Sequence, residues 1–256
     1  MAGPASCPVQ GTPPPPFPDN LQIVLSNLRD SPAPEEVERA LRVQFARLAM
    51  ALANPVRIAL LEVLCQGERG VEALAAAARV NLKNASSQLR ELRLAGLVAA
   101  RREGRQVFYR VADEEVVGFL SALRQLARHR LPEAERLIGG YFQAGDGDEP
   151  VGRDELQARL RAGTVLLVDV RPLEEYSAGH IPGARAVPLT ELEGFLDGLP
   201  DAPEIVAYCR GPYCVLAPQA VRACHARGLR AWRLEDGFPE WRLAGLPVAT
   251  GLETAA

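Results

Sequence analysis

Ile205-Val-Ala-Tyr-Cys209-Arg-Gly-Pro-Tyr-Cys214-Val-Leu-Ala-Pro-Gln219 is a short apolar run, a tight loop and the start of a second patterned segment. The run Glu204–Tyr208 reads as a buried strand, and Leu216–Arg227 reads as a helix. A loop held between them turns its backbone N–H groups inward, and the helix N-terminus adds partial positive charge. Both favour a thiolate, so the Cys209 thiol is expected to be acidified, with Arg210 as a further cation. The same cradle would hold the terminal sulfur of a persulfide. Taken alone, the stretch fits a structural cysteine at a strand end equally well.

Working outward, the types alternate. Helix Arg153–Arg161 precedes strand Val165–Val170. Helix Thr190–Leu199, strand Arg230–Leu234 and a short helix near Trp241 complete the set. Continuous apolar strands between amphipathic helices predict an α/β domain with a mostly parallel sheet over residues 152–250, with 251–256 as a tail. Upstream, Gln143-Ala-Gly-Asp-Gly-Asp-Glu-Pro150 is acidic and Gly-rich. Residues 132–151 therefore read as a helix end followed by an interdomain linker.

Residues 33–131 read as helical with a β-hairpin wing. Glu35 to Ala53 carries apolar residues at Val37, Leu41, Phe45, Leu48 and Leu52, spaced by three or four. Asn54 and Pro55 read as the N-cap and first residue of the next helix. A short helix Val71–Ala78, a turn through Arg79-Val80-Asn81 and a helix to Ala95 have the proportions of a helix-turn-helix. Leu97–Arg102 and Val107–Val111 then form a hairpin around Glu103-Gly104-Arg105, and a long helix runs from Asp113 to about Arg130. Between Glu72 and Arg110 there are eight basic and three acidic residues. That patch suits phosphate attraction, with Lys83, Asn84, Ser86, Ser87, Gln88 and Arg90 toward a groove and Arg101, Arg102 and Arg105 on the wing. The opposing reading, a solvated charged face, explains the charge but not the order of turn, helix and basic hairpin.

Composition agrees once it is divided. The chain has 256 residues, 48% hydrophobic and 24% charged, with a net charge of −3. These values suit a globular chain of about two domains and exclude a mainly disordered one. The average charge argues against nucleic acid, but residues 33–131 hold 16 basic and 11 acidic residues, while 151–256 hold 11 and 14. Residues 1–32 are proline-rich and read as a disordered tail. Five cysteines (Cys7, Cys65, Cys209, Cys214, Cys224) match no secreted framework, and no signal peptide or membrane span is visible, so a cytoplasmic protein without membrane contact is expected.

Two resemblances attach to these residues. Leu52-Ala-Asn-Pro-Val-Arg57, Asn84-Ala-Ser-Ser-Gln-Leu89 and Gly104-Arg-Gln-Val-Phe-Tyr109 resemble the ArsR-type winged helix. The resemblance implies a homodimer built on the first and last long helices that binds double-stranded operator DNA. The family's metal sites are not matched. Val71–Ala78 has no cysteine, and Asp113, Glu115 and His129 are too few strong ligands, so no metal or other cofactor is expected. Cys65 reads as a small buried apolar residue.

Asp169-Val-Arg171, Gly179-His180-Ile181-Pro182-Gly183, the Cys209 loop and Asp236-Gly237 to Trp241 together resemble a rhodanese domain. This implies Cys209 as a nucleophile that takes sulfane sulfur from a donor and passes it to an acceptor thiol. Arg210, Gly211, Pro212, Tyr213, Cys214 and Val215 would form the cradle, and Asp169 and Arg171 would brace it. His180 reads as a turn residue and Trp241 as core. Many sulfurtransferases carry an arginine where Cys214 stands, which leaves the donor open and gives Cys209 a neighbouring thiol. The expectation is a regulator that senses or handles sulfur. The alternatives are a sulfurtransferase that regulates its own operon, and metal or arsenic regulation by family association only.

Overall fold

A computed structural model describes residues 33–143, 149–199 and 203–252. The proline-rich segment 1–32 with Cys7, the acidic stretch 144–148 and the terminal residues 253–256 lie outside the described residues.

The first domain begins with helices α1 (Pro34–Leu52) and α2 (Pro55–Leu64). Asn54 separates them because its Oδ1 accepts from the amides of Val56 and Arg57 at 2.8 and 3.3 Å. Strand β1 (Arg69–Gly70), α3 (Val71–Ala77) and α4 (Leu82–Leu94) follow. Asn81 caps α4, its Oδ1 accepting from the Asn84 amide at 2.8 Å. The turn before it places Arg79 in the left-handed region at φ 55°. Strands β2 (Val98–Glu103) and β3 (Gln106–Val111) form the wing, and Glu103 opposite Gln106 leaves only Gly104-Arg105 as its turn. Helix α5 (Glu114–Arg130) closes the domain. Its core is leucine-rich, with Leu60, Leu61, Leu64, Leu74, Leu89, Leu92 and Leu120 all buried. The stripe on α1 is not part of that core: Val37, Leu41, Phe45 and Leu48 are exposed, and only Leu52 is buried.

Residues 132–143, ahead of the acidic stretch, are helical. Helix α6 (Pro132–Ile138) and a π-helical turn (Gly139–Gln143) continue from α5. Pro132 sits at the first position, and Glu133 and Glu135 suit the positive end of the helix. Tyr141 is docked on the second domain, its hydroxyl accepting from Arg222 Nη2 at 2.9 Å.

The second domain contains α7 (Arg153–Ala162), β4 (Val165–Asp169), α8 (Leu173–Ala178), β5 (Arg185–Ala186), α9 (Leu192–Asp197), β6 (Glu204–Tyr208), α10 (Leu216–His225), β7 (Ala231–Arg233) and α11 (Phe238–Leu243). Its sheet has the order β5-β4-β6-β7 with every pair parallel. Alternation along β6 explains why the strand is apolar throughout. Ile205, Ala207 and Cys209 face one core layer, while Val206 and Tyr208 face the other. Helix α9 is shorter than Thr190–Leu199, because Thr190 and Glu191 are in turn conformation. No helix among the described residues is long and apolar enough to cross a membrane.

Candidate functional site

Cys209 stands at the carboxyl end of β6, where a parallel sheet opens toward its loops. The loop from Arg210 to Val215 folds back on itself through Cys214 N–H donating to Gly211 O at 3.1 Å. The Cys209 thiol donates to the Cys214 carbonyl oxygen at 3.6 Å, and its side chain neighbours that of Cys214. Gly237, ahead of α11, lies flat against this loop. A Cβ there would sit 2.2 Å from the Gly211 nitrogen, so only glycine allows the approach.

Asp169 and Arg171 lie at the end of β4, both fully buried. Arg171 Nε donates to Asp169 at 2.9 and 3.1 Å, and its Nη2 donates to Gly179 O at 2.8 Å. The guanidinium also lies over the Phe238 ring, 4.5 Å from its centroid. His180 is buried and stacked on Tyr176, with ring centroids 3.7 Å apart. Trp241 is core, its Nε1 donating to Pro247 O at 2.8 Å.

One expectation about charge needs correction, and one holds in weaker form. Arg210 contributes positive charge at Cys214, but not as a free cation. It forms a two-pronged ion pair with the fully buried Glu175, at 2.9 Å from Nε and 2.7 Å from Nη2. Nor is Cys209 the acidified sulfur. Burial pushes its thiol well up, and the Gly211 and Ala217 amides only partly oppose that. The acidified sulfur is Cys214, which the hydrogen bond from Cys209 draws down to about 7. Cys65 and Cys224 are buried in apolar surroundings and pushed up to about 12 and about 11.

Arg210 to Cys214 are half-buried, and Val215 at the end of the loop is exposed. A cleft of about 240 Å³ separates the loop from the first domain, with Arg210 to Val215 on one side and Ala77, Ala78 and Arg79 of the helix-turn-helix on the other. Buried polar contacts cross beside it. Gln66, in the turn after α2, is 1% exposed. Its Nε2 donates to Arg210 O at 3.1 Å and its Oε1 accepts from Arg171 Nη1 at 3.0 Å. Arg69 of β1 pairs with Glu175 at 3.3 Å, and Arg124 of α5 bridges Glu62 and Glu240 at 3.1 and 3.2 Å. Gly67 has φ 152°, and a Cβ on it would come within 2.7 Å of Ala178 Cβ. Gln66, Arg69, Arg124 and Glu240 were invisible as site residues, because their partners in the other domain are more than a hundred positions away. Glu240 stood in the motif from Asp236 to Trp241 without a role.

In the first domain, α4 presents Lys83, Ser86, Ser87 and Arg90 to solvent. Asn84 and Gln88 are half-buried and hydrogen-bonded to each other at 3.2 Å. On the wing, Arg101 pairs with Glu68 and Glu103, each at 2.6 Å. Arg102 Nε donates to Gly104 O at 3.2 Å. Arg105, at the tip, makes no ion pair among the described residues.

A helical domain with a basic wing, joined through buried polar contacts to a parallel-sheet domain with a cysteine loop, defines a regulator class: a winged helix-turn-helix carrying a rhodanese domain. Residues 152–244 match the family model for the rhodanese-like domain. The chain is 48% identical over 212 residues to the HTH-type transcriptional regulator Rv0324 of Mycobacterium tuberculosis, covering 83% of this chain and 93% of that protein. It is 38% identical over 97 residues to the biofilm growth-associated repressor of Agrobacterium fabrum, covering 38% of this chain and 81% of that one. Among solved structures, a homodimeric winged helix-turn-helix DNA-binding domain from Mycobacterium bovis matches at 40% identity and a TM-score of 0.36, over 41% of this chain and 95% of that one. A thiosulfate sulfurtransferase from Pseudomonas aeruginosa matches at 24% identity and a TM-score of 0.39, over 46% of this chain and 22% of that one. The chain belongs to the ArsR-type helix-turn-helix transcriptional regulators that carry a C-terminal rhodanese domain.

Proposed function

We propose that this chain is a homodimeric repressor that binds double-stranded operator DNA and responds to sulfane sulfur carried as a persulfide on Cys209. The working division is a winged helix over 33–131 and a rhodanese domain over 152–250. The DNA face consists of Lys83, Asn84, Ser86, Ser87, Gln88 and Arg90 on α4, with Arg102 and Arg105 on the wing. Arg101 acts there as a brace, since two carboxylates already hold it. The exposed stripe of α1, together with exposed Phe119 and Leu126 on α5, supports dimerisation through these two helices. The name of the Agrobacterium relative supports repression.

The observation that carries the regulatory reading is Gln66. A buried side chain of the first domain holds the carbonyl of Arg210, the residue next to Cys209. A sulfur atom added at Cys209 must be accommodated in a cradle that the winged helix itself helps to hold. Sustained turnover between a sulfur donor and an acceptor thiol is the weaker reading, because Cys209 lies behind Cys214.

The test is affinity for a duplex selected from a random pool, measured with and without inorganic polysulfide. Polysulfide is expected to weaken binding by the wild type tenfold or more and to leave Cys209→Ser unchanged. Equal responses from the two proteins would overturn the reading.

A further inference from the structure

The two cysteines of the loop stand in series. Cys214 lines the interdomain cleft, whereas Cys209 lies behind it and is 2% exposed. The bond from Cys214 N–H to Gly211 O bends the loop so that its two ends meet, and the thiol of Cys209 donates to the carbonyl oxygen of Cys214 itself at 3.6 Å. No arginine occupies the end of the loop to hold a loaded anion; a second sulfur does.

We propose that Cys214 is a resolving thiol: it attacks Cys209 once that residue carries a persulfide, closing a Cys209–Cys214 disulfide and expelling hydrosulfide. The inference rests on the persulfide reading of Cys209. An inorganic polysulfide first transfers one sulfane sulfur, giving Cys209–Sγ–SH. The Cys214 thiolate, its proton already lost to solvent, forms a bond to Cys209 Sγ. The persulfide S–S bond breaks, and its electron pair and terminal proton leave as HS⁻. Two cysteine thiols are thereby oxidised by two electrons, and the sulfane sulfur is reduced to sulfide. Hydrosulfide is a weakly basic leaving group, and a thiolate formed near neutrality is well matched to attack it. The product ties together the two ends of the loop whose first carbonyl is held by Gln66.

The test treats reduced, full-length protein with sodium tetrasulfide without oxygen, then follows intact mass, alkylatable thiols and released hydrosulfide. The wild type is expected to become two hydrogens lighter, lose two thiols and release one hydrosulfide per chain beyond that from the donor alone. Cys214→Ser is expected to become one sulfur heavier and stay so. A wild type that keeps its added sulfur as long as Cys214→Ser does would overturn the resolving role and leave the Cys209 persulfide standing. If neither protein gains sulfur or loses a thiol, the persulfide reading falls, and the resolving role with it.

Discussion

At the scale of single residues, the site depends on how one proton is shared between two sulfurs. Burial keeps it on Cys209, and the hydrogen bond this allows stabilises the thiolate of Cys214. Below its midpoint Cys214 is a thiol and slow to alkylate; above it the thiolate is fast. Iodoacetamide labelling of Cys214 is therefore expected to rise with pH through about 7. In Cys209→Ala the donor is gone, so the midpoint should move up toward the ordinary thiol range. A midpoint that stays in place would show that the partner sulfur is not the cause. The sequence singled out this loop because strand, glycine, proline and helix follow one another in order. It could not say which sulfur ionises, since that depends on burial and on the groups the fold brings to each thiol.

Among the elements, α1 and the wing each leave a face available to a partner. Spacing by three and four predicted the stripe on α1, but periodicity cannot tell an intradomain face from one awaiting a partner. Exposure decides it here: Phe45 is 67% exposed. Phe45→Glu should shift the sedimentation of the protein from dimer to monomer and weaken operator binding by about tenfold or more, while its helical circular dichroism stays intact, as expected for a surface change. A dimer that persists would remove α1 from the interface. On the wing, the sequence placed Arg101, Arg102 and Arg105 together, because charge in a sequence is counted before its partners are known. Glu68 and Glu103 claim Arg101, leaving Arg105 the freer charge. Arg105→Ala is expected to reduce the slope of log affinity against log salt by about one. Arg101→Ala should change it less, and equal losses from the two would refute the distinction.

Across the whole molecule, the two folds were legible because each is specified by local periodicity and turn chemistry. Their docking was not. It rests on Gln66, Arg69, Arg124 and Gly67, a few side chains and one close backbone approach that leave no pattern in the sequence. The division of charge into a basic first domain and an acidic second one shows two modules, but not that the cysteine loop of one rests against the helix-turn-helix of the other. This docking makes coupling separable from either activity. Gly67 belongs to neither α4, the wing nor the cysteine loop, yet its Cβ would meet Ala178 Cβ at 2.7 Å. Its φ of 152° further disfavours a side chain. Gly67→Ala should therefore push the domains apart, at a cost of about 1–3 kcal/mol typical of overpacking. Operator affinity without sulfur should stay within about twofold of the wild type, and mass spectrometry should still show sulfur chemistry at Cys209. What should disappear is the dependence of DNA binding on polysulfide. If Gly67→Ala still releases DNA on polysulfide as the wild type does, the signal does not pass through this junction, and another route between the domains must carry it.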